Sequence, residues 1–411
     1  MKSATGERQL EWIRLVPQTA AIGLGVVLYS VFIFNRGLDS PFVYISVGTA
    51  VFLTVAALLS RMGMAFKAVL FNLAVLALAV GVAEAYLGGW LPVRRGSGAA
   101  PTLKHEGEFF GRIGGGYFVP DEARGYAAEP NVKAQEKVWM GDQLLQDVVY
   151  TTNAHGLRIA PHDVESASPI RTTEHENVVF FGCSVTVGEG VNDRDTMPWS
   201  FETRSAGHYR TYNFGFHGYG PHQMLRILET GLLGKLVSDK PPTQAVYQGL
   251  MEHIERSAGN YPAVSWGPTA PRYALRQDGI PAYRGPFHTS YGSAVFSVLN
   301  ESHIFPEVAP AILGWRRTQS DIDLYLAIVK RSKELFETRY RGRFSVVMWS
   351  AYDRDYPVVV ERLRQAGIRV FEVHKIIPDI YTADWKYKLN GDEHPNAITH
   401  ALIAKFLLEM L

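Results

Sequence analysis

The chain has 411 residues, 47% of them hydrophobic, which suits two or three domains rather than one and allows a large buried core. Its 41 Lys and Arg almost cancel its 40 Asp and Glu, leaving a formal charge of +1, so its electrostatics give no reason to expect a nucleic-acid partner. One cysteine, Cys183, excludes an internal disulfide framework and any multi-cysteine metal site.

Leu15 to Phe34 and Phe42 to Ser60 contain no charged residue, and a third apolar run goes from Ala68 to Ala83 and resumes after Glu84 as far as Val93. Each is long enough, or nearly so, to cross a hydrocarbon core of about 30 Å as a helix. Residues 1–93 are therefore expected to form a membrane domain of three transmembrane helices, with Glu84 near enough to one end to reach the headgroups. A cleaved signal peptide fits worse, because the first run is too long and two more come after it. Lys2, Arg8 and Arg14 precede the first run, and Arg61 and Lys67 separate the second from the third, whereas the first loop has only Arg36. By the positive-inside rule the N-terminus is cytoplasmic, and three crossings leave the rest of the chain outside. Arg94 and Arg95 argue the other way. The expected location is the inner (cytoplasmic) membrane, multi-pass, with bilayer lipid as a partner and the soluble part facing the periplasm or exterior.

Residues 94–120 carry repeated glycines (Gly111, Gly114, Gly115, Gly116) and no helical period, and read as a linker. Lys137 to Thr151 predicts a hairpin around Gly141-Asp142, closed by a turn at Asn153 to Arg158. Thereafter short apolar strands alternate with helices. The strands are Val178–Phe181, Tyr212–Phe216, Ala245–Leu250, Phe344–Trp349 and Arg369–Val373. The helices are Gln223–Leu236, Ser320–Tyr340, Tyr356–Ala366 and Asn396–Met410. That alternation predicts an α/β domain over 121–411, a three-layer arrangement with a parallel sheet flanked by helices on both faces. Residues 256–310, rich in Pro, Gly, Ser and Tyr, read as an insertion near the cleft.

Reactive groups in an open parallel sheet sit at the carboxyl ends of strands. The first strand ends in Phe181-Gly182-Cys183-Ser184, where Ser184 is placed as a nucleophile and its N–H can begin an oxyanion hole. A small-residue turn into a helix would look the same. Thr186 stands where the G-x-S-x-G elbow needs its second glycine, so that motif is absent. Asp392-Glu393-His394-Pro395 precedes the last helix: an imidazole with a carboxylate two residues away to orient it. A surface histidine in a polar loop is the plainer alternative. A cysteine beside a strand end is commonly a buried small hydrophobe, which favours Ser184 over Cys183 as the attacking group. His217 and His222 read as loop histidines, and Asp353 and Asp355 as caps of the next helix. No spacing suggests zinc, a phosphate loop or a nucleotide site, so no cofactor and no metal is expected.

Together, the serine after the first strand and the Asp-x-His before the last helix resemble the SGNH (GDSL-like) hydrolase superfamily, over roughly residues 121–411. The preamble is similar to that of membrane-anchored bacterial members. The resemblance implies Ser184 as nucleophile, His394 as base and Asp392 as its orienter. Its second block corresponds to Asn213 to Gly220 and implies Gly218 as a backbone oxyanion donor. Cys183 replaces the family's aspartate, which is a structural neighbour of the nucleophile. The third block should supply a donor asparagine, but the chain reads Gln248-Gly-Leu-Met-Glu252-His253-Ile-Glu-Arg256. Glu252 is an acceptor when ionised, whereas His253 can donate. His253 is the expected replacement donor, and Arg256 is the expected contact for an anionic substrate group, with Glu252 beside it.

The expected function is a membrane-anchored serine esterase acting on acyl esters of a cell-envelope glycan or exopolysaccharide. An O-acyltransferase working through the same acyl-serine uses identical motifs. The missing asparagine also allows a catalytically weak glycan-binding or assembly component.

Overall fold

The computed structural model describes residues 41–60, 63–87, 103–107, 116–164, 166, 174–237, 239–260, 267–290, 295, 299, 301–305, 308–309 and 317–411. The chain divides into two compact units, residues 1–99 with 294–314 and residues 100–293 with 315–411.

In the first unit, α1 (Pro41–Leu59) and α2 (Met64–Leu87) pack along a seam of small residues. A Cβ added at Gly81 would lie 3.2 Å from Ser46 Cβ and 3.3 Å from Val47 Cγ2, and Ala50, Ala57 and Ala74 are buried. Close backbone approach of this kind is how helices associate where water provides no driving force. Ile45, Val51, Leu58, Val69, Phe71 and Leu76 are exposed. Among the described residues α2 alone is long and apolar enough to cross a membrane; the apolar part of α1, Phe42–Leu58, is shorter. The expected first span, Leu15 to Phe34, lies outside the described residues.

Glu84 differs from its expectation. It is buried rather than turned out toward headgroups. Its carboxylate accepts hydrogen bonds from the Ser302 hydroxyl, from His303 N–H at 2.7 Å and from Ile304 N–H at 3.3 Å. A buried carboxylate requires such donors. They come from residues expected in the cleft insertion, whose 294–314 stretch belongs to this unit instead.

The second unit opens with antiparallel structure: β1 (Leu103–Gly107), β2 (Phe118–Asp121), β3 (Gly125–Ala128), β4 (Lys133–Met140) and β5 (Gln143–Thr151). The β4–β5 hairpin turns at Gly141-Asp142 as expected. Residues 94–120 are not wholly a linker, because β1 pairs with β4 and β2 with β3. Asn153 organises the turn after β5, its Oδ1 accepting from His155 N–H and Leu157 N–H.

The five apolar runs form one parallel sheet. Its strands are β6 (Glu176–Phe181), β7 (Tyr209–Asn213), β8 (Pro242–Gly249), β11 (Arg343–Met348) and β12 (Arg369–Glu372), in the order β12-β11-β8-β6-β7. Side chains alternate across a strand, so each strand serves two cores. Val179 and Phe181 pack with Met224 and Ile227 of α5 (Pro221–Glu229), and with Tyr325 and Val329 of α8 (Gln319–Tyr340). Val178 and Phe180 face the other way, onto Met197 and Phe201 of α4 (Met197–Arg204) and Ile403 and Leu407 of α10 (Ala397–Met410). The three-layer α/β arrangement is thus present.

Local departures have local causes. The helix expected over 223–236 is two, α5 and α6 (Leu232–Leu236), separated by Gly231 at φ 72°. The unexpected α4 begins with Pro198 in its first turn and a Thr196 cap accepting from Trp199 N–H at 3.3 Å. The 256–310 stretch contains a hairpin, β9 (Pro271–Leu275) with β10 (Pro281–Pro286).

Replacing Glu84 by alanine leaves the His303 amide without its acceptor, whereas Ile304 N–H keeps Ser302 Oγ at 3.2 Å. Hydrogen exchange at His303 should accelerate about tenfold or more, since an orphaned buried donor costs about 1–3 kcal/mol. Exchange in α5 and α8 should not change.

Candidate active site

Ser184 is the first residue of α3 (Ser184–Val187), a single turn directly after β6. Two glycines let the turn sit where it does. A Cβ at Gly182 would lie 2.0 Å from Thr186 Oγ1, and one at Gly215 would lie 2.5 Å from Thr186 Cβ. Thr186 fills the space the two glycines leave. Cys183 is fully buried.

Beyond the turn, the chain is held by Arg158, itself buried. Its Nη1 donates to the carbonyls of Val187 at 2.9 Å and Gly188 at 2.5 Å. Its Nη2 donates to Val191 O at 2.6 Å and its Nε to Asp193 Oδ1 at 3.0 Å. In the sequence Arg158 stands out only as the end of a turn.

The expected base, His394, lies at the other end of the chain. Asn396 caps α10, its Oδ1 accepting from Ile398 and Thr399 N–H. Just before it, Asp392 Oδ1 lies 2.7 Å from His394 Nδ1 and accepts from His394 N–H at 3.0 Å. Burial works against the Asp392 charge, but the hydrogen bonds from His394 hold its carboxyl below the usual range. Burial likewise opposes charge on the His394 ring. The Asp392 hydrogen bond and the Glu189 and Asp392 carboxylates outweigh it and raise the pKa to about 9.

Ser184 and His394 line one cavity of about 250 Å³. No hydrogen bond joins Ser184 Oγ to the ring among the described residues; such bonds are often long in the absence of substrate. Glu252 and Arg256, both expected at the substrate, also line it. Glu252 accepts from Ser350 Oγ at 3.0 Å and from Tyr352 Oη at 3.3 Å. Arg256 Nη1 donates to Tyr219 O at 2.8 Å. Burial opposes its charge, but Cys183, Tyr126 and Glu252 offset that and keep the guanidinium protonated. A larger cavity, of about 800 Å³, lies against β5 and residues 192–199 and contains none of these groups.

Two expected oxyanion donors are elsewhere. Gly218 does not line the cavity; it sits in the loop after β7, at φ 71°. Tyr126 Oη donates to the carbonyl before it and Arg256 to the one after. His253 begins α7 (His253–Ala258) and is wholly buried. Its Nδ1 faces Tyr247 Oη at 2.6 Å and accepts from Leu250 N–H at 3.4 Å. That assigns the proton of the neutral ring to Nε2. Burial, with Arg256 and His222 nearby, holds its pKa well below the ordinary range. The tautomer suits a donor, but the ring is not part of the cavity wall.

The cavity also uses residues the sequence does not single out. Ser350, at the carboxyl end of β11, adopts φ 66°, a costly conformation for a residue with a side chain. Its N–H donates to Tyr381 Oη at 3.1 Å. Trp349, Tyr381 and Lys388 complete the wall. Asp353 Oδ1 accepts from Asp355 N–H at 2.8 Å at the start of the helix α9 (Tyr356–Gln365), whereas Asp355 makes no side-chain cap bond. Both also hold Arg317, at 2.8 and 3.3 Å. His222 is buried, and burial lowers its pKa to about 3. His217 is buried beside Glu189 rather than in the cavity. Among the described residues no group of three or more His, Cys, Asp or Glu is arranged to hold a metal.

No family model matches the chain, and no curated protein does. Solved structures similar to it include a protein described as lipolytic, of the G-D-S-L family, from Desulfitobacterium hafniense DCB-2. It is 12% identical, with a TM-score of 0.33, over 58% of this chain and all of that one. A gut microbial diltiazem-metabolizing enzyme is 14% identical, with a TM-score of 0.32, over 58% of this chain and 47% of its own. LAE5, an alpha/beta hydrolase enzyme from the metagenome of Lake Arreo, Spain, is 10% identical at a TM-score of 0.33, over 59% and 96%. These likenesses are too distant to assign an activity.

Two measurements check the site's electrostatics. The folded pKa of His394 lies above its unfolded value of about 6.5. Its protonation therefore adds stability that is complete below about pH 6.5 and is lost as pH rises through about 9. Denaturant midpoints should fall over that window, and His394→Gln should flatten the slope. Arg158→Ala should destabilise the domain by about 3–5 kcal/mol, because Asp193 and the facing carbonyls lose a buried cation; a Tm series reads this.

Proposed function

We propose that the chain is a serine ester hydrolase of SGNH type. The observation that carries this reading is the convergence of Ser184 and the Asp392–His394 pair on one cavity at the carboxyl ends of parallel strands. In this reading neutral His394 takes the Ser184 proton as Oγ attacks an ester carbonyl, and Asp392 holds the ring tautomer. The Ser184 N–H begins the oxyanion hole. Arg256 places a fixed positive charge on the same wall. Gly218, in the loop after β7, and His253, buried at the start of α7, join the hole only if substrate draws those segments inward. His394 then returns the proton to the leaving alcohol, and water resolves the acyl-serine.

The cavity is smaller than the roughly 300–1,000 Å³ of ordinary ligand pockets, which favours a short acyl group over a long chain. Acceptors and aromatic rings on its wall, Glu252, Tyr352 and Trp349, suit a hydroxyl-rich partner such as an acylated cell-envelope glycan. The same wall favours a second reading, transfer of the acyl group to a glycan hydroxyl. The apolar helix α2 supports membrane association, and the outward orientation rests on the distribution of Lys and Arg around the apolar runs.

Full-length protein given an aryl acetate should release acetate into water, and Ser184→Ala should lose at least about 10³-fold in rate. Asp392→Asn should lose on the order of 10⁴-fold. Product formed only when glycan is added identifies the transferase. Unchanged turnover in Ser184→Ala ends both readings. A phosphatase reporter fused at residue 95 should be active, and an inactive one reverses the orientation.

A further inference from the structure

Glu189 lies just past the nucleophile turn, and no step of the proposed ester hydrolysis uses it. Its backbone is fixed, since Glu189 N–H donates to Ser184 O at 2.9 Å and Arg158 holds the carbonyl of Gly188. Its Oε2 lies 2.5 Å from His217 Nδ1 and 3.9 Å from His394 Nε2. Hence His394 stands between two carboxylates, Asp392 at Nδ1 and Glu189 toward Nε2. Nε2 is the atom that must receive the Ser184 proton.

His217 is well suited to hold Glu189 in that position. The ring is buried and is packed by Tyr117, Phe118, Tyr150 and Phe216 at centroid distances of 5.0–5.8 Å. It has little room to turn. Burial raises the proton affinity of Glu189, but His217 first and His394 second outweigh that and keep the carboxyl ionised below its usual range. The other ionisable neighbours are Asp392, Cys183 and His400 around His394, and Tyr117 beside Glu189. Tyr150, hydrogen-bonded to Glu136, closes the far side, and Arg158 is committed to carbonyls and Asp193. None of them supplies a cation that could replace His394 as the second partner of Glu189.

We propose that Glu189, oriented by His217, is a positioning residue that pairs with protonated His394 at Nε2 and holds the base in a resting form. The inference rests on the reading of His394 as general base. In the resting form the ring has a proton on each nitrogen, Nδ1–H toward Asp392 and Nε2–H toward Glu189. The Nε2 proton must pass to solvent before that nitrogen can take the proton of Ser184 Oγ. The O–C bond to the ester carbonyl then forms, and the same proton later leaves with the alcohol. The pairing therefore sets the pH at which the enzyme becomes active.

The test is a titration of the His394 ring by NMR in full-length protein in detergent, labelled with ¹³C at histidine Cε1. It is run in a Ser184→Ala background so that no acyl chemistry intervenes, and His394→Gln identifies the signal. Glu189→Gln should lower the His394 midpoint by about one pH unit or more, the usual effect of removing an opposite charge at this range. Glu189→Asp, which keeps the charge but withdraws it, should lower it by less and serves if the glutamine protein does not fold. With Ser184 intact, the acidic limb of ester hydrolysis should move the same way. A His394 midpoint unchanged in both variants overturns the proposal. A midpoint that falls while Ser184 is never acylated upholds the pairing and ends the esterase reading instead.

Discussion

A guanidinium sealed from water must give its donors to protein acceptors, and Arg158 gives them to the turn behind Ser184. The carbonyls of Val187, Gly188 and Val191 are all held by this one side chain, with Asp193 as its counter-charge. This constraint fixes more than a loop. Ser184 stands on a single helical turn, too short to be stable by itself. The segment from Val187 to Asp193 must therefore be rigid if Oγ is to keep its aim. The same clamp determines where Glu189 emerges, and so which group faces the ring of His394.

Ser184 and His394 come from opposite ends of the domain, and packing brings them to one cavity. Strand β6 leads into Ser184, and Asp392 and His394 lead into helix α10. Both elements contribute to one core layer, where Val178 and Phe180 of β6 meet Ile403 and Leu407 of α10. Apolar burial thus sets the separation of two polar groups that share no direct contact. A cavity-forming change such as Leu407→Ala would alter the site through the angle of α10, without touching a reacting atom.

The fold is legible in the sequence because its signals are local. Apolar runs such as Val178–Phe181 announce strands buried on both faces, and Asn396 before an apolar run announces a capped helix. That Ser184 and the Asp-x-His pair would meet at one cavity is legible for a similar reason, since each is a short pattern beside a predicted boundary. Arg158, His217 and Glu189 leave no such pattern. Most of their partners lie 28–35 residues away in the chain or further, and an isolated Arg, His or Glu is compatible with a solvated surface. The same blindness affects Asp353 and Asp355, whose adjacency to a helix start suggests caps while their partner, Arg317, lies far upstream. Glu84 shows the effect in its strongest form, because its donors lie 218–220 residues further along the chain.

The resemblance leads to the expectation of a donor asparagine in the stretch that reads Gln248 to Arg256. A neutral asparagine donates to an oxyanion and does nothing else. Arg256, by contrast, lines the Ser184 cavity while its Nη1 is bound to the carbonyl of Tyr219, next to Gly218. The cation and the glycine loop are therefore mechanically linked. Negative charge developing at Ser184 would draw on Arg256, and any movement of Arg256 would move that loop. On the proposed reading, this arrangement would couple stabilisation of an oxyanion at Ser184 to the placement of the Gly218 loop, which a lone amide could not do.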